Sequence, residues 1–153
     1  MRYVLLDRIE TLDPPTAVGV KCVSLSEDVF GEHFPGYPLL PGALILESMA
    51  QIGGVLLEEC MRRERGDDGL HAVLSMADRV RFRQQVRPGD RMRVEATLSR
   101  VSEDGGQCEV IARVEGHKVA EAKLGFAFSE VTDPRLLQTR RDVLRTWLTG
   151  SIG

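Results

Sequence analysis

The sequence predicts an α+β fold in which a curved antiparallel sheet wraps around one long central helix. Three observations lead there. Residues 41–61 form the one long, strongly apolar helical stretch. Four β-like stretches follow it in a row, and a helix set to one face of an antiparallel sheet is an α+β layout. The apolar residues of 41–57 run nearly all round the helix, which requires burial on more than one side. A sheet curled about that helix meets the requirement.

Taken in order, residues 16–25 (TAVGVKCVSL) are rich in small and β-branched side chains and read as a strand. Pro41 suits the first turn of the 41–61 helix, and Glu58, Glu59, Arg62 and Arg63 bring its far end into solvent. RRERGDDG (62–69) is then a polar loop. Strands are expected over 71–86, 91–101, 107–115 and 117–128. Turn signals divide them at RPGD (87–90), EDGG (103–106) and EG (115–116). RMRVEATL alternates as a half-buried strand does. Asp133 and Pro134 have the character of the N-cap and first residue of a C-terminal helix carrying Leu136, Leu137, Leu144, Trp147 and Leu148. That helix also bears Arg135, Arg140, Arg141 and Arg145 against one acid, Asp142. Two readings stay open for it: a basic face that steers an acidic partner, or an apolar stripe packed on the sheet with its arginines in water.

The chain has 153 residues, in the range of one compact domain. It is 42% hydrophobic and 28% charged, with a formal net charge of −3, so nothing global argues for nucleic acid or an anionic membrane. The N-terminal MRYVLLDRIE meets an acid at Asp7 and lacks a cleavage site, so it does not read as a signal peptide. The apolar run 39–57 is broken by Pro41, Glu47 and Gln51, which makes it a poor membrane span. A cytoplasmic protein is expected. Cys22, Cys60 and Cys108 are widely spaced and read as buried, reduced thiols. No metal-ligand cluster, phosphate-binding glycine loop or Gly-x-Ser-x-Gly elbow is present.

The chemistry concentrates in GEHFPGYPLLPGALILESMAQ, residues 31–51. Prolines at 35, 38 and 41 bias Phe34, Tyr37 and Leu40 away from helical angles, so the segment should be stiff and extended up to a helix N-terminus. Phe34, Tyr37, Leu39 and Leu40 read as core anchors. Glu47 then falls in an apolar helix, where a carboxylate needs a reason. A partner arginine would supply one, as would a solvent-facing stripe with Ser48 and Gln51. The functional alternative is an acid held ready to exchange a proton, with His33 as the other half of an acid–base pair. Gly42, at the helix start, offers a backbone N–H to a developing oxyanion. Together these parts suit proton abstraction beside a thioester carbonyl.

HFPGYPLLPGALILESMAQ closely resembles the H-F-P-G-x-P-x-x-P-G-x-x-x-x-E-x-M-A-Q signature of 3-hydroxyacyl-(acyl-carrier-protein) dehydratases of the FabZ type. The likeness runs from about Tyr3 to Phe128 and includes LLDRI (5–9), KCVSLSEDVF (21–30), ADRVRFRQQVRPGDRM (77–92) and KVAEA (118–122). It implies a hotdog fold over residues 1–128, with 129–153 a C-terminal helical extension past the family's usual end. It implies homodimers with shared active sites and leaves open whether the dimers assemble further into a trimer of dimers. His33 would be the catalytic histidine and Glu47 the catalytic carboxylate, facing each other across the dimer interface. Gly42 would bind the thioester carbonyl, with Phe34, Pro41 and Gln51 on the substrate-binding side. The implied reaction turns a (3R)-3-hydroxyacyl group on acyl carrier protein into the trans-2-enoyl group and water. It needs no metal or other cofactor, because the carrier protein brings its own phosphopantetheine arm.

The chain departs from the pattern in two places. Glu32 stands where the family usually has glycine directly before the histidine, and neither Ala72 nor Val73 is aromatic where an aromatic gate is common. Two other functions use the same fold, a hotdog acyl-thioesterase and a non-catalytic binder of acylated carrier protein. The HFPG histidine is unnecessary to the first, and Glu32 makes the second conceivable.

Overall fold

The computed structural model describes residues 3–150. Its elements run β1 (Arg8–Asp13), β2 (Thr16–Cys22), α1 (Gly42–Arg65), β3 (Leu70–Phe82), β4 (Arg91–Val101), β5 (Gly105–Val114), β6 (His117–Glu130) and α2 (Pro134–Thr149). The six strands form one sheet in the order β1-β2-β4-β5-β6-β3, with every neighbouring pair antiparallel. The long α1 packs against all six strands. That is the sheet-around-helix layout expected from the apolar run.

Burial explains the arrangement. Met49, Ile52, Leu56 and Leu57 of α1 meet Met92 and Val94 of β4, Cys108 and Val110 of β5, and Leu124 of β6, all fully buried. Truncating one such leucine to alanine costs about 2–5 kcal/mol, a large share of a domain's net stability. Helix and sheet come so close at Gly53 that a Cβ there would lie 2.7 Å from the Cys108 sulfur. Burial pushes the Cys108 thiol up to about 12, so it stays protonated.

Several boundaries differ from the sequence reading. β1 was not expected; only Ile9 of it is buried, so its residues carry almost no alternating pattern. α1 begins one residue after Pro41, which is its N-cap, and continues through Arg65 to a left-handed Gly66 (φ 79°). The polar loop is correspondingly shorter, and β3 ends at Phe82. Glu59 does not reach solvent: it is buried, and Arg62 and Arg63 from the next turn hold both its oxygens at 2.6–2.9 Å. Of the cysteines, Cys108 is buried but Cys22 is exposed and Cys60 intermediate.

α2 starts as expected, with the Asp133 side chain accepting from the Arg135 N–H at 2.9 Å and Pro134 in its first turn. It docks through Trp147, which is buried and donates its indole N–H to the Leu6 carbonyl at 2.7 Å. Leu137 and Leu144 are half-buried, while Leu136 and Leu148 face out. Arg140 pairs with both carboxylate oxygens of Glu58, and Arg141 pairs with Asp68 at 2.6 and 3.0 Å. Both arginines are thus committed to ion pairs within the chain.

Candidate active site

The His33 side chain is placed by backbone. A single 3₁₀ turn (Asp28–Gly31) precedes it, and the His33 N–H donates to the Val29 carbonyl at 2.9 Å. The His33 carbonyl accepts from the Leu39 N–H at 3.0 Å, and its ring Nδ1 lies 2.9 Å from the Leu39 carbonyl oxygen. A carbonyl oxygen can only accept, so Nδ1 carries the proton and Nε2 keeps its lone pair in the neutral ring. Between His33 and Leu39, Phe34 and Tyr37 close a tight turn by exchanging backbone hydrogen bonds at 3.0 and 2.8 Å around Gly36 (φ 75°).

That turn overturns one expectation. Phe34 and Tyr37 are both 48% exposed and do not anchor the core. Phe34 stacks on the His33 ring with centroids 4.0 Å apart, and the Arg87 guanidinium lies over the Tyr37 ring at 4.9 Å. Leu40 is buried as expected, and its N–H donates to the Val86 carbonyl at 2.8 Å. That bond fixes the approach to Pro41 and Gly42.

Gly42 opens α1, where the first amides have no intrahelical acceptor and point along the helix axis. The Phe82 ring lies directly against it, so that a Cβ at position 42 would sit 3.0 Å from Phe82 Cζ. The close fit explains glycine at this position. It also gives Phe82, a residue not singled out from the sequence, a place beside the helix N-terminus.

Glu47 is half-buried rather than sealed in apolar core. The Gln51 side-chain amide donates to its Oε1 at 3.2 Å, and the Tyr3 hydroxyl lies within reach of its charge. The negative charge of Glu47 holds the Tyr3 hydroxyl above its ordinary range. Gln51 does more than orient Glu47. Its Oε1 accepts from the Leu5 N–H at 2.9 Å and its amide donates to the Tyr3 carbonyl at 3.2 Å, which straps the N-terminal segment to α1. Ser48 is buried with its hydroxyl on the Leu5 carbonyl at 2.9 Å, so Glu47 does not lie on a solvent stripe with it.

Two groups emerge. His33, Phe34, Pro41 and Gly42 cluster at the head of α1; Glu47 and Gln51 line a cleft of about 370 Å³ between α1, β3, the N-terminal segment and α2. None of the first four residues borders that cleft. Glu47 stands five residues beyond Gly42, about 7.5 Å along the helix and roughly 140° around it. Within one chain Glu47 and His33 are therefore parts of different surfaces. Among the described residues no group of three or more His, Cys, Asp or Glu side chains could hold a metal ion, and no helix is long and apolar enough to cross a membrane.

Comparison with known proteins decides the family. A FabA-like domain model matches residues 1–123. The chain belongs to the FabA-like family. It is 40% identical over 126 residues to the 3-hydroxyacyl-(acyl-carrier-protein) dehydratase FabZ of Halalkalibacterium halodurans, spanning 82% of this chain and 87% of that protein. It is 39% identical over 129 residues to the FabZ of Bacillus cytotoxicus, spanning 84% and 87%. Among solved structures, the dehydratase heterocomplex ApeI:P of Xenorhabdus doucetiae matches with a TM-score of 0.70 at 22% identity, over 90% of each chain. A hot-dog-like protein of Thermanaerovibrio acidaminovorans matches at 0.62 and 21%, over 85% of this chain and 91% of its own. These structural likenesses establish the hotdog fold expected from the sequence.

Proposed function

We propose that this FabA-like protein is a 3-hydroxyacyl-ACP dehydratase that eliminates water from (3R)-3-hydroxyacyl-ACP to give trans-2-enoyl-ACP in acyl-chain biosynthesis. The match to relatives named for that activity, over 87% of their length, carries the reading. His33 Nε2 takes the proton from C2, the C–H electrons form the C2=C3 bond, and the C3–O bond breaks. Glu47 delivers a proton to the departing hydroxyl, which leaves as water. The Gly42 N–H, at the positive end of α1, stabilises the enolate-like charge on the thioester oxygen. Gln51 orients Glu47, while Phe34 and Pro41 border the histidine side of the substrate. The chain's residues supply the base, the acid and the oxyanion donor, and the phosphopantetheine arm enters with the carrier protein.

The separation of His33 from Glu47 within one chain supports a composite site, in which the base of one subunit faces the acid of another. An edge suited to pairing exists. β3 ends the sheet and exposes Val73 (54%), Met76 (37%) and Phe82 (49%), apolar side chains on a strand edge that invites another strand. A homodimer joined along β3 would cover them.

Product analysis on one purified 3-hydroxyacyl-ACP tests the proposal. The expected product is the trans-2-enoyl thioester. Free acid would instead identify a thioesterase, and unchanged substrate in the presence of binding a non-catalytic acyl-ACP binder.

A further inference from the structure

The family match ends at residue 123, and α2 (134–149) lies wholly beyond it. Yet α2 forms one side of the cleft that begins at Glu47. We propose that α2 is the specificity-determining wall of an acyl-chain channel, and that it limits the length of chain accepted. This rests on the dehydratase reading, which puts the C3 hydroxyl of the substrate beside Glu47 and the rest of the acyl chain beyond it.

The cleft follows one stripe of α1. Glu47, Ala50, Gln51, Gly54 and Glu58 recur at the spacing of a single helix face and span about 16 Å along its axis. Its middle is apolar and small on the α1 side. A Cβ at Gly54 would stand 3.6 Å from Phe126 and 3.7 Å from Ala72, in ordinary contact, so the glycine leaves roughly a methyl group of room. Leu74 and Phe126 form the sheet side, and Leu144 of α2 closes the other. A volume near 370 Å³ falls within the range of sites that enclose small ligands.

The far end is charged and already satisfied. Glu58 accepts from Arg140 of α2 and from the backbone N–H of Ala72 in β3 at 2.9 Å, while Arg141 grips Asp68. These pairs tie α2 across α1 and β3. An alkyl tail reaching them would have to displace paired charges to go further, which is unfavourable without a replacement partner. A channel with a reactive carboxylate at one end, an apolar middle and an ionic end-plate suits an unbranched acyl chain of limited length.

Trp147 is the chain's one tryptophan and lines this cleft, so its emission reports occupancy independently of turnover. The test titrates the full-length protein with 3-hydroxyacyl-pantetheine thioesters of increasing length, following both Trp147 fluorescence and enoyl formation. Affinity should rise about fourfold per methylene up to a limiting length, with a saturable change in emission. Gly54→Leu and Leu144→Phe should each move the limit to shorter chains, whereas Arg140→Ala should move it to longer ones. A flat emission response across the series overturns the channel, as does an unchanged limit in the folded narrowing variants. Length-limited binding without enoyl product would overturn the dehydratase reading instead and leave the channel standing.

Discussion

His33 and Leu39 are joined at both ends of one residue: the Leu39 N–H donates to the His33 carbonyl at 3.0 Å, and the Leu39 carbonyl accepts from the ring Nδ1 at 2.9 Å. Orientation of the imidazole therefore depends on main chain, not on a carboxylate partner. The turn that supplies this main chain is built by Pro35, Gly36 and Pro38, the residues that make the HFPGYP stretch distinctive. Stiff sequence becomes a fixed tautomer, and the fixed tautomer leaves Nε2 with the free lone pair that the proposed base needs.

Loss of either proposed proton-transfer group should cost a comparable factor. His33→Ala and Glu47→Gln are each expected to lower the dehydration rate by roughly 10²–10⁴-fold, the scale of a missing acid or base. Both side chains are only half-buried, so melting temperatures should hardly move. Enoyl formation at saturating substrate checks this. More than half the wild-type rate in a folded variant would remove that residue from the proposed chemistry.

A composite site makes a sharper claim. In a dimer formed from one His33→Ala and one Glu47→Gln subunit, one site holds both lesions and the other holds neither. Random pairing of the two inactive variants should then recover about a quarter of wild-type activity, since half the dimers are mixed and each has one intact site. Co-expression with two different tags, followed by assay of the pooled and the doubly purified dimers, gives the measurement. No recovery in purified mixed dimers would place acid and base on the same chain.

Much of this site is legible in the sequence because it is local. His33, Pro41, Gly42, Glu47 and Gln51 fall within 19 consecutive residues, and their order fixes a loop, a helix start and a helix face. What could not be read is what other segments contribute. Leu39 acts through its backbone, which has no side-chain signature, and Tyr3 and Phe82 reach the site from distant stretches. Phe34 and Tyr37 look like core residues by type, but the turn that joins their backbones leaves both rings exposed. β1 escaped because an edge strand paired on one side needs little alternation; its Arg8, Glu10 and Thr11 are exposed. Glu59 has the spacing of an ordinary surface helix pair with Arg62 and Arg63, and the approach of Leu12 and Asp13 to Arg63 helps enclose it.

If β3 is the subunit seam, charge on its edge should split the protein. Val73→Lys combined with Met76→Lys places two cations where apolar side chains are now exposed, the device by which natural edge strands avoid pairing. The expected outcome is a monomer by light scattering at micromolar concentration, with dehydration lost even though His33 and Glu47 remain. An active monomer, wild-type or variant, would defeat the shared site.

Acid stability turns on Glu59. Its carboxylate is buried at the far end of α1, and hydrogen bonds from Arg62, with a further one from Arg63, outweigh its desolvation and hold it below the ordinary 4.5. A carboxyl depressed in the folded state binds a proton more readily when unfolded, so its contribution is complete above about 4.5 and is lost as pH falls through the lower folded value. Glu59→Gln keeps the shape but removes the charge from three charge-assisted hydrogen bonds. Because both arginines are about half-exposed, the loss at neutral pH should stay near the value of one or two such bonds, about 1.5–3 kcal/mol, rather than that of a fully buried broken pair. Thermal melts of wild type and variant at neutral pH should therefore differ by several degrees, with the variant lower. The gap should narrow steadily below about pH 4.5 as the wild-type carboxylate is protonated. A gap that stays constant from neutral to strongly acidic pH would show that packing, not the ion pairs, accounts for the contribution of Glu59.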